Sequence, residues 1–463
     1  MKRFAFALTA LALAGCDNAA EPANNWEPKP YVQLENPEWS RDAVIYQVNT
    51  RQFSEEGTFK AVQEELPRLK ELGVDILWFM PIHPIGEVNR KSTLGSPYSV
   101  KDYYDVNPEF GTKEDFKALV DAAHEQGFKV ILDLVANHTA WDHPLASEHP
   151  DWYEKTWDGD FRPTPWWDWS DIIDLDWTKP GVREHIGLAM EYWVRDFGVD
   201  GYRADVAGYV PVDFWETMRA RLNEIRPVFM LGEVQETAFH RASFDATYAW
   251  DWHHTSKDVA KGAANPTAFY GYYAENESLW PREAMRMTYI ENHDSNSWEG
   301  TVRENYAAGL EAATALAFTG EGIPLVYNGM EACNNKRLEF FEKDGIDWSK
   351  LGDARTCEYG QLLADLIAFR KANPALENGK WGARMQKVET DQPDRVFAWV
   401  REEDGNKVLG LFNFSGETTE VRFADGLAAE SYAEFRGSKT TVASGDSITI
   451  SPWGFRLFSK LTP

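Results

Sequence analysis

The sequence predicts an α/β chain built on a closed (β/α)8 TIM barrel, with a short insertion after the third strand and a C-terminal antiparallel β-sandwich. From about residue 40 to residue 375, short β-branched apolar runs alternate with longer amphipathic stretches, as expected for eight βα units. The first run is followed by residues 49–53, which lack the Gly-rich phosphate turn of an open doubly wound sheet. After residue 376, short runs separated by Gly, Asp and Asn turns predict the sandwich.

The eight predicted barrel strands are short and rich in apolar residues. They are Ala43–Val48, Asp75–Met80, Lys129–Val135, Val199–Ala204, Val228–Gly232, Ala242–Ala246, Met287–Ile290 and Ile323–Tyr327. Apolar residues at helical spacing predict helices between several of them, at Phe59–Leu72, Lys113–Gln126, Val182–Phe197, Pro211–Ile225 and Ala307–Ala317. The barrel would therefore occupy residues 39–138 and 182–375.

Residues 139–181 interrupt this alternation and show no clear periodicity. The region between the third strand and the next helix holds seven tryptophans: Trp141, Trp152, Trp157, Trp166, Trp167, Trp169 and Trp177. An insertion after a barrel strand lies at the strand's C-terminal end, where barrel active sites are found. The remaining predicted strands, in the sandwich of residues 376–463, are Val396–Val400, Val408–Phe412, Thr419–Phe423, Ser447–Ile450 and Phe455–Leu457.

The N-terminal sequence is typical of an export signal. Met1-Lys-Arg3 precedes an apolar run that ends Leu13-Ala14-Gly15-Cys16, which resembles a bacterial lipobox. We therefore expect a lipoprotein signal peptide over residues 1–16, lipidation of Cys16, and a polar, Pro-rich tether over residues 17–38. This places the protein in a bacterial cell envelope, anchored to the membrane by lipid on the periplasmic side or at the cell surface. An ordinary signal peptide with a chance cysteine is the alternative.

Composition narrows the ligand class. The 463 residues carry 47 Lys+Arg and 74 Asp+Glu, a formal charge of 47 − 74 = −27, which argues against a nucleic-acid partner. Twenty tryptophans outnumber eighteen tyrosines, which suits a neutral ligand with apolar faces, such as a sugar, and equally suits plain core packing.

Three cysteines remain to be placed. If Cys16 is lipidated, Cys333 and Cys357 form an even pair in an oxidising compartment. A disulfide there would close a loop of about 25 residues and stabilise the fold by roughly 3–4 kcal/mol. Two buried free thiols are the alternative, and both stay open on the sequence alone.

Polar side chains cluster at the predicted strand ends, which meet on one rim of a barrel. Two carboxylates there could flank a glycosidic bond, one as nucleophile and one as general acid. Arg203 is two residues from Asp205, so both side chains point to the same face of a strand, and the guanidinium would favour an ionised Asp205. Glu233 follows an apolar run that would keep it protonated. The rim residues are Asp133, Asn137, His138, Arg203, Asp205, Glu233, Glu291, Asn292, His293 and Asp294.

These residues resemble a known family. The stretches 133–138 (Asp-Leu-Val-Ala-Asn-His), 201–205 (Gly-Tyr-Arg-Ala-Asp), 232–234 (Gly-Glu-Val) and 292–294 (Asn-His-Asp) are similar to the four ordered signatures of the α-amylase family, glycoside hydrolase family 13. Residues 73–81, 96–103 and 322–331 add further matches in the same order. The resemblance covers about residues 40–375; it makes the insertion a short domain B and the sandwich the family's C-terminal domain.

The resemblance implies roles for individual residues. Asp205 would be the nucleophile, Glu233 the acid/base, and Asp294 a third acid that holds sugar hydroxyls and helps keep Glu233 protonated. Arg203 and Asp133 would belong to the same substrate-binding set, with Arg203 keeping Asp205 ionised. His138 and His293 would bind the sugar itself, and Tyr98 would stack beneath it.

The chain departs from the family after the nucleophile. Many α-amylases carry a Lys-His pair there, whereas this chain reads Val206-Ala207-Gly208-Tyr209. This change affects the predicted acceptor side and the family's structural Ca²⁺ site. Asn137 matches the family's calcium-ligating asparagine, and oxygen-rich acidic loops suit Ca²⁺. Asp174 is a second candidate ligand, among the insertion acids Asp168, Asp171, Asp174 and Asp176. That these acids are solvated or paired with Lys and Arg is the alternative.

The function expected from the sequence is that of a lipid-anchored, monomeric, retaining hydrolase of α-1,4-glucosidic bonds in starch or maltodextrins, with an α-glucan as its partner. The alternatives are a transglycosylase or isomerase of the same family, such as a glucanotransferase or a trehalose synthase-like enzyme, and a non-catalytic glycan-binding surface lipoprotein.

Overall fold

The computed structural model describes residues 30–351, 357–423, 430–437, 439–442 and 446–461. Residues 32–463 form one compact unit, distinct from residues 1–31. The predicted signal peptide with Cys16, and the tether up to residue 29, lie outside the described residues. None of the described helices has both the length and the apolar character needed to cross a membrane.

The predicted closed parallel barrel is confirmed, with its strands hydrogen-bonded in sequence order around the ring. Its eight strands are β1 (Ile45–Val48), β2 (Ile76–Phe79), β3 (Lys129–Leu134), β4 (Gly201–Ala204), β5 (Phe229–Gly232), β6 (Ala246–Tyr248), β7 (Met285–Tyr289) and β8 (Ile323–Tyr327). The register between β3 and β4 sets Asp133 opposite Arg203, and Ala204 of β4 pairs with Gly232 of β5. Residues that follow these strands therefore meet on one rim.

The barrel strands are buried on both faces because each face packs in a different core. On β2, Ile76 and Trp78 belong to the cluster inside the barrel, whereas Leu77 and Phe79 belong to the layer between strands and helices. This explains why the strands read as continuous apolar runs rather than as alternating ones.

The helices surround the barrel and mostly match the predicted positions. Their bounds are Thr50–Phe53, Phe59–Glu64, Leu66–Leu72, Lys113–Glu125, Pro144–Glu148, Pro180–Tyr192, Val212–Ile225, Trp250–Ala260, Thr267–Leu279, Val302–Tyr306, Leu310–Thr319 and Glu358–Lys371. The single helix predicted over Phe59–Leu72 is wrong. The chain breaks at Glu65 because Pro67 cannot donate a backbone hydrogen bond from the interior of a helix, but fits the first turn of a new one.

The sixth strand starts later than predicted. The sequence placed it at Ala242–Ala246, but residues Thr237–His240 form a 3-10 turn and Phe244 N–H donates back to the Phe239 carbonyl. Asp245 is held by Arg219, whose Nη1 donates to its Oδ2 at 2.6 Å. The turn keeps the residues before Asp245 out of the sheet, and the Asp245 backbone is the first to bond to both neighbouring strands, at Met230 and Met285.

The insertion is fastened to the barrel by a short antiparallel ribbon. His138–Ala140 pairs with Ile172–Asp174, with His138 opposite Asp174. The Trp-rich segment between them therefore begins and ends beside the β3 rim.

The C-terminal region is antiparallel, as predicted. Six strands form one sheet, and Thr419–Arg422 pairs with Ser447–Ile450 in a second. The strands of the larger sheet are Gln386–Lys387, Val396–Glu403, Asn406–Asn413, Glu430–Glu434, Lys439–Val442 and Phe455–Leu461. A separate apolar cluster, which includes Val421 and Ile450 of the small sheet and Leu411 of the large one, fills the space between the two sheets.

Candidate active site

Four residues form a charged cluster at the rim of β3, β4 and β5. Arg203 Nη1 donates to Asp133 Oδ1 at 2.8 Å and to Asp205 Oδ1 at 3.0 Å. Arg203 Nη2 lies 3.0 Å from Glu233 Oε2. The guanidinium is fully buried. The structure thus brings together the predicted nucleophile, the predicted acid and the predicted positioning arginine around one buried cation.

One guanidinium does not neutralise three carboxyls in a buried site. Burial raises the pKa of Asp205 well above its usual range, attraction to Arg203 opposes this, and repulsion from Glu233 adds to it. Burial likewise raises the pKa of Asp133 to about 6, against the attraction of Arg203. Like charges that share a site cannot all ionise near neutral pH. We therefore expect at least one carboxyl of the cluster to retain a proton near neutral pH.

The turn after Asp205, the predicted nucleophile, has an unusual backbone. Val206 has φ 36° and ψ 47°, in the left-handed region that a β-branched residue rarely adopts. In this conformation its N–H donates to Glu233 Oε2 at 2.7 Å. The strained turn aims a peptide N–H at the predicted acid and so fixes where that carboxyl points.

A hydrogen-bonded chain fixes the ring of His293. Gln47 Oε1 accepts from the His293 backbone N–H at 3.2 Å, so Gln47 Nε2 is the atom 2.6 Å from Nδ1. Nδ1 must then accept, and Nε2–H donates to the Tyr98 hydroxyl at 2.7 Å. That hydroxyl in turn donates to Asp133 Oδ2 at 3.0 Å. The tautomer that follows leaves His293 a neutral donor.

The residues predicted to bind a sugar lie in or around this series of hydrogen bonds. Tyr98 and His293 stack with ring centroids 5.5 Å apart. Burial lowers the pKa of His293 to about 3 and that of His138 to about 4, so both act as neutral hydrogen-bonding groups. The Asp294 side chain stays 42% exposed, beside His293. The protein packed against its carboxyl raises the pKa of Asp294 to about 6, against the attraction of Arg203.

A cavity of about 550 Å³ lies above these groups and exposes Asp205, Glu233 and Asp294 to a ligand. Its size is that of an ordinary small-molecule site. Part of its wall comes from residues that the sequence reasoning missed: Lys91, Trp298, Phe340 and Phe341. Lys91, Phe340 and Phe341 lie in irregular segments and Trp298 lies in a short π-helical turn, so no periodic pattern pointed to them.

The seven insertion tryptophans divide by location. Trp167 and Trp169 line the cavity and stack on each other at 5.6 Å. Trp177 is buried, and Trp157 and Trp166 are almost fully exposed away from this cavity wall. Of the seven, Trp167 and Trp169 are therefore the ones that line this cavity.

The comparisons with known proteins agree with this geometry. The family model for the alpha-amylase catalytic domain matches residues 38–405, most of the chain. The chain belongs to the alpha-amylase family. As a member, it shares the barrel-plus-antiparallel-domain fold described above.

Individual relatives give the range of this similarity. The chain is 30% identical to the alpha-amylase MalA of Haloarcula japonica over 92% of its own length and 63% of that protein's length, so it spans less than two thirds of that relative. A maltogenic alpha-amylase, AmyB of Thermotoga neapolitana, superposes with a TM-score of 0.82 at 29% identity, over 91% of this chain and 99% of that one. A maltosyltransferase of Bifidobacterium longum is 29% identical over 69% of this chain and 45% of its own.

The residues predicted to bind Ca²⁺ do not fit that ion here. Asn137 presents its amide nitrogen, not its oxygen, to Asp174 Oδ1 at 3.1 Å and to Thr164 at 3.3 Å. The guanidinium of Arg162 lies 3.7 Å from Asp174 and 3.5 Å from Glu154, where it supplies the positive charge. Within the described ranges, no three or more His, Cys, Asp or Glu side chains are grouped to hold a metal.

The other insertion acids also have protein partners. Asp168 and Asp171 each lie 3.7 Å from the Lys91 ammonium. Asp176 accepts from the Thr178 N–H and hydroxyl at 3.0 and 2.6 Å. The alternative expected from the sequence is that these acids are solvated or paired with Lys and Arg, and Asp168, Asp171 and Asp174 do lie beside Lys91 or Arg162.

Chelation should therefore leave this α-amylase-family protein intact. We expect EDTA to shift Tm by less than about 1 °C, whereas Arg162→Met should lower it by about 2–4 °C, because Asp174 then loses its cation inside the insertion. Differential scanning fluorimetry with and without EDTA measures both. Arg195→Met, at an exposed helical pair with Glu191, is the matched control. A large EDTA-induced loss reversed by Ca²⁺ would refute the role given to Arg162.

Cys333 and Cys357 form a disulfide, one of the two outcomes that the sequence left open. The bridge lies just after β8 and closes the loop that carries the cavity residues Phe340 and Phe341. It restrains that loop in the unfolded chain as well as in the folded one.

Glu291, on the same rim as His293, is a buried acid. Among the described residues, its hydrogen-bond donors are amide groups, and none of them is a cation. Glu291 is 3% exposed and accepts from Asn296 Nδ2 at 2.8 Å. Burial raises its pKa to about 8. Because the folded state then holds this proton more tightly than the unfolded state, Glu291 lowers the free energy of unfolding as pH rises from about 4.5 to about 8.

Glu291→Gln should remove this pH dependence. Gln keeps the acceptor oxygen and carries no charge, so we expect wild-type stability near pH 4.5 and a gain of about 2–4 kcal/mol at pH 8–9. Urea unfolding across this pH range measures the difference. Glu420→Gln, on an exposed strand of the small C-terminal sheet, is the control. Parallel stability curves for Glu291→Gln and wild type would show that Glu291 is ionised in the folded state.

Proposed function

We propose that the protein hydrolyses α-1,4-glucosidic bonds of starch and maltodextrins with retention of anomeric configuration. The observation that carries this proposal is the pair Asp205 and Glu233 held on the two terminal nitrogens of one guanidinium. Retaining glycosidases place their two carboxyls about 5–5.5 Å apart, whereas inverting ones leave room for a water at about 6.5–9.5 Å. A shared guanidinium supports the shorter spacing.

The first chemical step breaks the glucosidic bond. Asp205 attacks the anomeric carbon while Glu233 gives its proton to the departing glycosidic oxygen, and a covalent glycosyl–Asp205 ester forms. The Val206 N–H bond to Glu233 Oε2 keeps the acid pointed at that oxygen. Arg203 stays within 3.0 Å of the Asp205 carboxyl before attack and stabilises it again when it leaves in the second step.

The second step releases the sugar. Glu233, now a carboxylate, takes a proton from a water, and the resulting hydroxide equivalent displaces Asp205 from the same face that the leaving group occupied. Asp294 and the two neutral histidines bind hydroxyls of the same sugar, and these bonds strengthen as the ring flattens toward an oxocarbenium ion.

Product analysis on maltoheptaose tests this proposal. Proton NMR during the first minutes should show new reducing ends in the α-configuration, because two displacements at the anomeric carbon restore it. New ends in the β-configuration would overturn retention. Failure to release reducing sugar from any α-glucan would overturn the hydrolase itself.

Transfer to a sugar acceptor is a second candidate, favoured by the leaving-group side of the cavity. Where many family members carry a Lys-His pair, this chain has Tyr209, whose hydroxyl accepts from Trp167 Nε1 at 3.0 Å. Both side chains are exposed, so their ring faces are available for an incoming glucosyl unit to stack on. Oligosaccharides longer than the substrate, at high maltotriose concentration, would mark transfer.

We also propose that Cys16 is lipidated and anchors a monomeric enzyme in a bacterial cell envelope. The support is the sequence Leu13-Ala14-Gly15-Cys16 after a charged and apolar leader. Mass spectrometry of the N-terminal peptide from the native host, with Cys16→Ser as control, tests the modification. Light scattering of the Cys16→Ser protein tests the monomer.

A further inference from the structure

A loop over the cavity ties two of its walls together. Residues 86–95, which follow β2, hold their own shape: Arg90 donates to the Gly86 carbonyl at 2.7 Å and to the Ile85 carbonyl at 3.0 Å. Arg51, 4% exposed, fixes the end of the loop by donating to the Gly95 carbonyl at 2.9 Å. The loop is thus a preformed element with its own internal and basal bonds.

One face of this loop is bonded to the insertion. The Lys91 ammonium binds the backbone carbonyl of Asp168 and lies 3.7 Å from the carboxylates of both Asp168 and Asp171. Lys91 also lines the catalytic cavity. The insertion wall and the loop are therefore joined through Lys91, whose side chain is 20% exposed, and also through the Glu87 N–H, which donates to the Asp142 carboxylate at 3.1 Å.

The other face is bonded to the segment that follows β8. Glu342 accepts from the Ser92 hydroxyl and from the Thr93 N–H, the latter at 2.6 Å. The Lys91 ammonium lies 5.6 Å over the ring of Phe341. Three successive loop residues, 91–93, thus bridge the insertion and the β8 segment.

The segment that follows β8 is itself held in place by hydrogen bonds from buried amide side chains. Gln52, 1% exposed, donates to the carbonyls of Glu339 and Glu342 at 2.9 and 2.7 Å. Asn296 binds Leu338 N–H and the Lys336 carbonyl. The aromatic pair Phe340 and Phe341 is held between these anchors, and Phe340 stacks 6.0 Å from Tyr98.

The order of the strands around the barrel indicates which end of the cavity the joined loops close. The leaving group departs next to Glu233, and Asp205 and Glu233 follow β4 and β5. The joined loops follow β2 and β8, which flank β1 on the opposite side of the eight-strand ring. The closure therefore stands on the side of the sugar's non-reducing end.

We infer that residues 91–93, through Lys91 with Asp168 and Asp171 and through Glu342, form a stop at the non-reducing end of the substrate site. This inference rests on the proposed α-glucan hydrolysis. A chain cannot pass through the closed end, so it enters with its non-reducing terminus first. The enzyme then acts on chain ends and releases one short maltooligosaccharide rather than cutting within the chain.

Two p-nitrophenyl maltoheptaosides test the stop, with loss of intact substrate followed by chromatography because cleavage near the non-reducing end leaves the p-nitrophenyl group on the longer product. One is p-nitrophenyl maltoheptaoside with a free non-reducing end, and the other carries a 4,6-O-ethylidene group on that end. We expect kcat/KM for the blocked substrate to be lower by at least about tenfold, since the ethylidene group meets the closed wall. On amylose, iodine colour should fall slowly relative to reducing ends released. Equal rates on the two substrates, with a rapid loss of colour, would overturn the inference while leaving hydrolysis intact.

Opening the stop should change the ratio of kcat/KM for the blocked substrate to kcat/KM for the unblocked one. The double variant Lys91→Ala/Glu342→Ala should raise the blocked-to-unblocked ratio of kcat/KM by at least about fivefold. The ratio cancels any general loss of activity or of folded protein. Lys117→Ala/Glu420→Ala, at an exposed helical pair and an exposed strand, is the matched control and should leave the ratio unchanged. An unchanged ratio in the cavity variant would also overturn the inference, whereas no turnover of either substrate by the wild-type enzyme would instead refute the proposed function.

Discussion

Asp205→Asn should lower kcat/KM on maltoheptaose by at least about 10⁴-fold. An amide of the same shape is too weak a nucleophile to form the glycosyl ester, and residues of a covalent mechanism act as a unit, so losing one forfeits most of the rate. The measurement is initial-rate release of reducing sugar at substrate concentrations well below KM, where the rate is proportional to kcat/KM.

The same variant should fold at least as well as the wild type. Burial raises the pKa of Asp205 well above its usual range, so its ionised form is costly in the folded state, and a neutral amide removes that cost. An unchanged or raised Tm together with lost activity separates chemistry from misfolding. Asp213→Asn, at a surface pair with Arg183, serves as control. Retention of more than about 1% of the activity by Asp205→Asn would remove Asp205 from the nucleophile's role.

The catalytic rim was predictable because strand ends obey strict geometry. Arg203 and Asp205 are two residues apart and therefore share a face, and carboxyl ends of neighbouring parallel strands meet at one rim. Gln47 could also have been found. A polar residue within the apolar strand Ile45-Tyr46-Gln47-Val48 must find hydrogen-bond partners when buried, and it holds the ring and backbone of His293.

The cavity walls were not predictable in the same way. Lys91 and Phe341 are about 250 residues apart, and neither lies in a periodic segment. Their meeting depends on how two loops settle on the barrel. The sequence could not decide the environment of the insertion acids either. Acidic residues near an asparagine that resembles the family's calcium ligand predict a metal, whereas the cation beside Asp174 in the structure is Arg162, placed by the fold.

The sequence likewise left chain-end and internal cleavage undecided, for a reason of the same kind. The motifs fix the chemistry at one sugar unit, which all members of the family share. The number of units that fit beyond it depends on loops such as residues 86–95, whose contacts with Glu342 and Asp171 cross long sequence separations. Specificity therefore had to be read from contacts rather than from motifs.

Glu233→Gln should separate the two proton transfers from the covalent chemistry. Without an acid, kcat on maltoheptaose should fall by about 10³-fold, within the range expected for a lost general acid–base catalyst. Maltosyl α-fluoride has a leaving group that needs no proton, so formation of the Asp205 ester should be slowed far less on that substrate. Its turnover would then stop at the ester, because no base activates water.

Azide should release that ester. As an anion it needs no base, so we expect sodium azide to restore turnover of maltosyl α-fluoride by Glu233→Gln and to yield maltosyl azide of the α-configuration, since it attacks from the face that the fluoride left. Glu236→Gln, an exposed acid three residues further along the same loop, should need no azide and give none of this product. Equal losses on both substrates, or an azide product of the β-configuration, would show that Glu233 is not the acid/base. The retained product requires the ester on Asp205 and the missing base on Glu233 together, so this one variant tests both halves of the arrangement around Arg203.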